Sequence, residues 1–212
     1  MKNTILDGDA VIYNLVVVAF DMCSSSKILE DLTRTDSLRQ YDCLLKNLML
    51  WLQSNAKASN YVLYKFTGDG WLLLFPDNVM TGDGLMSFLL RLSKRHQSFR
   101  KKFIDSHLES IPNERGLTYG VEMGSVRKLI LGNEIEFVGR AINVACRLQA
   151  AVKDKGPGPD YRCLLSRKVY NTYMKQLSKY HFVPARRSLR NISGGEDYRC
   201  YKVNFTKMME DT

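Results

Sequence analysis

At 212 residues the chain has the length of one large domain, and its 45% hydrophobic and 25% charged content is that of an ordinary globular protein. That balance excludes a disordered chain, a collagen-like repeat and a long coiled coil, and a chain of this size buries roughly 70% of its unfolded surface without needing staples. Lysine plus arginine is 31 against 22 for aspartate plus glutamate, and the net charge of +9 favours a polyanionic partner: nucleic acid, an anionic membrane or a phosphorylated small molecule. The basic residues are densest over 94–102 and 186–190, and a solvated basic surface is the plain alternative. Cys23, Cys43, Cys146, Cys163 and Cys200 are odd in number and lack CxxC spacing, so neither a zinc site nor a disulfide framework is expected and a reducing, cytoplasmic setting fits. Asp7 and Asp9 stand where a signal peptide would need an apolar run, and the longest apolar runs fall far short of the ~18–20 residues that span a bilayer.

Residues 15–20, Leu-Val-Val-Val-Ala-Phe, read as a buried strand that ends at Asp21. The serines at 24–26 then offer N-caps for the next element. Over 37–52, Leu38, Tyr41, Leu44, Leu45, Leu48 and Leu52 recur at helical spacing and predict a long amphipathic helix. Residues 61–66 and 71–75 are strand-like, and the Thr67-Gly-Asp-Gly70 between them is a hairpin signal. A helix is expected over 85–103, a strand over 117–123, and a second hairpin from 129–131 and 135–138 around Gly132-Asn133. A short helix over 140–152 ends before the Gly/Pro-rich loop 155–159. Then come a strand at 162–165, a helix at 167–177 and strand material at 181–184 and 198–205. This order predicts an α+β fold, a mixed sheet with a ferredoxin-like core and helices gathered on one side.

Asp21 is the first polar group after an apolar strand, and Asp69 sits at a hairpin tip, so one sheet can bring the two carboxylates together. Paired carboxylates repel unless a cation neutralises them, and hard oxygen ligands suit Mg²⁺ or Mn²⁺. Taken alone, Asp-Gly at a hairpin tip is a turn device. Asn143 and Arg147 lie four apart on the predicted helix 140–152, with Arg140 on the same stripe. Such a stripe is ordinarily the solvent side of a helix, and it is also what an enzyme acting on a triphosphate needs to stabilise charge on phosphorus.

The segments Val17-Val-Ala-Phe-Asp21, Lys65-Phe-Thr-Gly-Asp69 and Phe137-Val-Gly-Arg-Ala-Ile-Asn143-Val-Ala-Cys-Arg147 resemble the class III nucleotidyl cyclase catalytic domain, in the family's order and with its internal spacing. Thr118-Tyr-Gly-Val-Glu-Met-Gly124 looks like the family's central strand. The resemblance runs from about 16 to 203 and implies a single catalytic domain over 1–212, with a core of about 15–205. It implies that Asp21 and Asp69 hold two divalent metal ions, Mg²⁺ or Mn²⁺, with the backbone carbonyl of Met22 as a further ligand. Asn143 would orient the ribose and Arg147 would stabilise the pentavalent phosphorus. Arg190 falls where the family usually carries a lysine for the terminal phosphates, and a guanidinium serves there as well. In the family each site lies between head-to-tail domains, one giving the aspartates and the other the asparagine and arginine. This chain is therefore expected to be a homodimer acting on a nucleoside triphosphate, with no nucleic-acid or membrane partner.

The family's base-selecting positions are Lys65 and Glu136 here, the acid being one methylene longer than usual. A donor and an acceptor so placed satisfy adenine, cytosine or uracil, and the longer acid leaves less room for a bicyclic base. Tyr64, Phe66 and Trp71 crowd the same hairpin, although strand alternation turns Tyr64 and Phe66 away from the Lys65 face, as core residues. The compact chain also looks like the stand-alone pyrimidine cyclases of Pycsar antiphage systems, where cUMP or cCMP switches on a separate effector protein. The expectation is therefore a uridylate or cytidylate cyclase in antiphage defence. An adenylate cyclase, a silent cyclase-like binding domain and a nucleic-acid binder with a polymerase-palm-like core are the alternatives.

Overall fold

An apolar strand with no polar face must be covered on both sides, and that requirement organises the molecule. In the computed structural model, which describes residues 12–110, 112–152 and 161–210, the run lies in β1 (Ile12–Met22), and every residue from Leu15 to Phe20 is buried. β1 sits in the middle of an eight-stranded sheet, antiparallel to both β3 (Gly70–Pro76) and β4 (Leu117–Leu131). With β2 (Val62–Phe66) outside β3, the order β2-β3-β1-β4 is the ferredoxin-like core expected from the sequence. The sheet continues through β6 (Arg162–Ser166), β8 (Tyr198–Asn204) and β7 (Val183–Arg187), and among the described residues only the β4–β6 pairing is parallel. β5 (Glu134–Val138) pairs with the far end of β4 as a hairpin arm.

Helices cover the sheet on both faces, not on one as the element order suggested. Val16, Val18 and Phe20 pack under α1 (Ser25–Arg34), α2 (Leu38–Ala56) and α3 (Gly82–Phe103), in a core with Leu32, Leu48, Leu52, Phe88 and Leu92. Leu15, Val17 and Ala19 point the other way, against Ala141, Ile142 and Ala145 of α4 (Arg140–Ala151). Alternation along the wholly apolar run 15–20 forces this, because both of its faces need a partner. α4 lies directly on the β4 backbone: a Cβ on Gly120 would stand 2.1 Å from the Ala145 carbonyl oxygen.

Other differences are local. The expected strands 117–123 and 129–131 are one strand of 15 residues, whose distal half leaves the core and, apart from the buried Val126, is half-buried or exposed. Past β6, the expected helix 167–177 is a turn of α-helix, α5 (Arg167–Val169), continuing as a π-helical turn over Tyr170–Met174. The last strand stops at Asn204, and α6 (Thr206–Glu210) comes after it. The Gly/Pro-rich loop 155–159 lies outside the described residues. Among those described, no helix is long and apolar enough to cross a membrane.

Candidate active site

Asp21 stands at the C-terminal end of β1, paired across the ladder with Gly70, one residue beyond Asp69. The Thr67–Gly70 turn is closed by a hydrogen bond from the Thr67 N–H to the Gly70 carbonyl at 3.0 Å, and Gly68 takes a φ of 107° that favours glycine. Gly70 admits no side chain, since a Cβ there would lie 1.8 Å from the Phe20 carbonyl oxygen. These glycines let the turn fold against the end of β1, so both carboxylates sit at one corner of the sheet, each half-buried. The Ser25 hydroxyl, at the start of α1, donates to Asp69. The serines thus do something other than cap: Ser24 takes the cap position without a side-chain capping bond, and Ser25 braces the acid. Met22 comes directly after Asp21 with its side chain in the core, so only its backbone is available to the corner.

Tyr41, one turn into α2, is only 6% exposed, and its hydroxyl has no hydrogen-bond partner among the described residues. Burial first, then the charges of Asp69 and Asp21, push its phenol well above the ordinary value, so the group keeps its proton beside the two acids. The corner thus offers carboxylate oxygens, a hydroxyl and one buried donor. Such a set fits a hard divalent cation, with the rest of the coordination shell left to backbone carbonyl, water and phosphate oxygens.

On the other face, α4 is tied to the same strand ends. Gln149 donates to the Thr118 hydroxyl at 2.8 Å, and that hydroxyl donates to the Asp21 carbonyl at 3.4 Å. A cleft of about 220 Å³ between these elements is lined by Asp21, Thr67, Trp71, Cys146 and Gln149. Asn143 and Arg147 stand on the exposed side of the helix. Arg140 donates to the Ser193 carbonyl at 3.1 Å, which holds the loop between β7 and β8 against the start of α4. That loop carries the exposed Arg190 and is closed by hydrogen bonds from the Leu189 N–H to Gly195 at 2.7 Å and from the Gly195 N–H to Ile192 at 2.8 Å. The buried Glu122 of β4 accepts from Ser166 at 2.7 Å and from Tyr198, whose phenol also meets Arg140.

Lys65 and Glu136 come together: the Lys65 ammonium donates to Glu136 Oε1 at 2.8 Å. That hydrogen bond raises the lysine pKa, and it leads the causes that hold the glutamate below its ordinary value, with Tyr64 second. The presence of Tyr64 overturns the alternation argument. β2 carries a bulge between Leu63 and Lys65: Leu63 pairs with Leu73 and Lys65 with the very next residue, Leu72. The extra residue is Tyr64, so two consecutive side chains face the α4 side of the sheet. Its hydroxyl donates to Glu136 and accepts from the Phe137 N–H at 3.0 Å, and its ring meets Phe137 edge-on at 5.2 Å. Phe66 does point away, as alternation requires, against Trp71 at 4.9 Å.

The structure brings Asp21 and Asp69 to one corner and pairs Lys65 with Glu136, and it adds Ser25, the buried Tyr41 and the Tyr64–Glu136 contact, which sequence reasoning did not single out. A serine run straight after a strand-end acid, and a tyrosine inside a leucine stripe, were the available signals for Ser25 and Tyr41.

No protein-family profile matches the chain, and no curated protein is similar to it. Solved structures match nearly its whole length. The adenylyl cyclase CyaB from P. aeruginosa superposes with a TM-score of 0.70 at 18% identity, over 91% of this chain and 94% of that one. The guanylate cyclase domain of RhGC from Catenaria anguillulae, determined in complex with GTP, gives 0.66 at 18% identity, over 92% and 98%. The catalytic core of a rhodopsin-guanylyl cyclase with converted specificity, in complex with ATPalphaS, gives 0.65 at 18% identity, over 91% and 96%. At such identities the likeness establishes the fold, which is that of the class III nucleotidyl cyclase catalytic domains.

Proposed function

We propose that this chain is a metal-dependent nucleotidyl cyclase that converts a pyrimidine nucleoside triphosphate, UTP or CTP, to its 3′,5′-cyclic nucleotide and pyrophosphate. The observation that carries the reading is the meeting of Asp21 and Asp69 at one corner of a cyclase-type sheet, while Asn143 and Arg147 stand exposed on α4. In the reaction the ribose 3′-oxygen bonds to the α-phosphorus as the bridging bond to the β-phosphate breaks, and the hydroxyl proton leaves to solvent. Two divalent cations, when bound by Asp21, Asp69 and the Met22 carbonyl, would acidify the 3′-hydroxyl and neutralise the triphosphate. Asn143 holds the ribose so that its 3′-oxygen lies in line with the bond to be broken. Arg147 stabilises charge on the α-phosphoryl oxygens, and Arg190 holds the terminal phosphates.

The exposure of Asn143 and Arg147 supports a site completed by a second copy, in which one protomer's acids meet its partner's α4. The β4–β5 arm supports the same assembly, since it presents Ile130, Leu131, Ile135 and Val138 to solvent at 73%, 59%, 47% and 45% exposure.

Base choice rests on Lys65 as donor and Glu136 as acceptor. Uracil offers O4 and N3–H, cytosine N3 and N4–H, adenine N1 and N6–H. Tyr64 favours the smaller bases, because its bond to Glu136 holds the longer acid forward and its ring fills space beside the pair. The role that goes with a pyrimidine product is a second messenger read by a separate effector in antiphage defence.

The test is a four-way incubation of purified protein and Mn²⁺ with ATP, GTP, CTP or UTP, read by mass spectrometry. Cyclic UMP or CMP is the expected product. Cyclic AMP alone would leave the cyclase and overturn the pyrimidine preference, and no cyclic product from any of the four would overturn the cyclase.

A further inference from the structure

A hydroxyl buried with no partner destabilises a fold relative to the phenylalanine that would fill the same space. Tyr41 is such a group. It belongs to the core beneath α1–α3, together with Phe20 and Met22, which flank Asp21, and Trp71, two residues past Asp69. Other buried tyrosines on that face are satisfied within the protein: Tyr61 donates to the Leu52 carbonyl at 2.5 Å, and Tyr119 shares a hydrogen bond of 2.7 Å with Ser93. Tyr41 keeps a donor at the Asp21–Asp69 corner with nothing among the described residues to receive it.

We infer that Tyr41 is a substrate-binding residue, whose hydroxyl donates a hydrogen bond to a phosphate oxygen of the cation-bound triphosphate seated at Asp21 and Asp69. The inference rests on the reading of that corner as a metal–triphosphate site and adds a contact to it. The needed partner is an acceptor, and it arrives with the ligand. A carboxylate rotated onto the hydroxyl would serve only by leaving its cation, whereas a triphosphate brings acceptor oxygens of its own. Helix α2 sets the position of Tyr41, with Leu44, Leu48 and Leu52 on the same buried stripe anchoring the turn that carries it.

The test compares the full-length protein with its Tyr41→Phe variant, using Mn²⁺ alone and Mn²⁺ with inorganic tripolyphosphate, a probe independent of the base. Calorimetry gives affinities, and thermal melting gives the stability of each protein without ligand. The variant is expected to melt at or slightly above the wild-type temperature, to bind Mn²⁺ alone equally, and to bind the tripolyphosphate complex about five- to tenfold more weakly. Equal tripolyphosphate affinity in the two proteins overturns the inference. So does a variant that melts several degrees lower, because its hydroxyl would then serve the fold, and so does a loss confined to Mn²⁺ alone. Wild-type protein that binds no Mn²⁺–tripolyphosphate fails the metal–triphosphate reading itself, and the contact with it.

Discussion

A guanidinium on the exposed side of a helix can be removed without disturbing the core, so Arg147 separates chemistry from folding cleanly. Arg147→Ala is expected to lower product formation by about 10³-fold or more at an unchanged melting temperature, measured with the preferred triphosphate. Tyr64→Phe asks a different question. It keeps the ring and its contact with Phe137 but frees Glu136 of one of its two partners. The expected outcome is a three- to tenfold rise (about one hydrogen bond's worth) in KM for the preferred nucleotide, a smaller change in kcat and weaker discrimination against purines. Asp21 and Asp69 were legible in sequence because a strand end and a Gly-flanked turn are local events. Tyr64 was not, because one extra residue in β2 shifts the alternation count, and nothing in Val-Leu-Tyr-Lys-Phe marks where the bulge falls. Tyr41 reads as core from its spacing and is core; whether its hydroxyl has a partner is a property of three-dimensional neighbours alone.

At the scale of elements, helix and strand periods served well wherever an element has one polar face, as α2 and α3 do. They gave no side for α4, since β1 is apolar at every position from Leu15 to Phe20 and accepts a helix on either face. The device that fits α4 to the sheet is Gly120, where the helix backbone meets the strand backbone. Gly120→Ala places a methyl 2.1 Å from the Ala145 carbonyl oxygen and 2.2 Å from the Gln149 nitrogen, and neither can move without the helix. A loss of about 1–3 kcal/mol is expected in urea unfolding, with a fall in activity because Asn143 and Arg147 ride on the displaced element. Helix α3 carries a second testable feature. His96 is fully buried with its Nδ1 3.2 Å from the Tyr161 hydroxyl, and burial, with the Arg100 charge, lowers its pKa from 6.5 to about 3. The unfolded chain takes up a proton there below about pH 6.5 and the folded one does not until about pH 3. Stability is therefore full above that window and is lost as pH falls through it, by up to about 1.4 kcal/mol per pH unit. His96→Gln should flatten this slope between about pH 6.5 and 5 in urea titrations.

For the whole molecule, the decisive question is whether one polypeptide holds a complete site. Asp69→Ala and Arg147→Ala damage opposite halves of the proposed constellation, so each alone is expected to be inactive. Mixed one to one, random exchange makes about half of the dimers heterodimers, each with one intact site, and about a quarter of wild-type activity should return. No recovery after exchange would sink the shared site. In sequence the homodimer followed from the family resemblance alone, because the apolar residues of the arm, Ile130, Leu131, Ile135 and Val138, read as ordinary hairpin residues until the sheet leaves them uncovered. If the proposed sites are shared across that uncovered arm, output depends on gene dosage. When copies are scarce and mostly apart, the number of complete sites grows as the square of the copies present, and doubling expression quadruples the messenger made. Once pairing saturates, the response becomes linear. On that proposed assembly, a cell could carry a low, silent stock of the protein and raise its output steeply through a modest change in abundance.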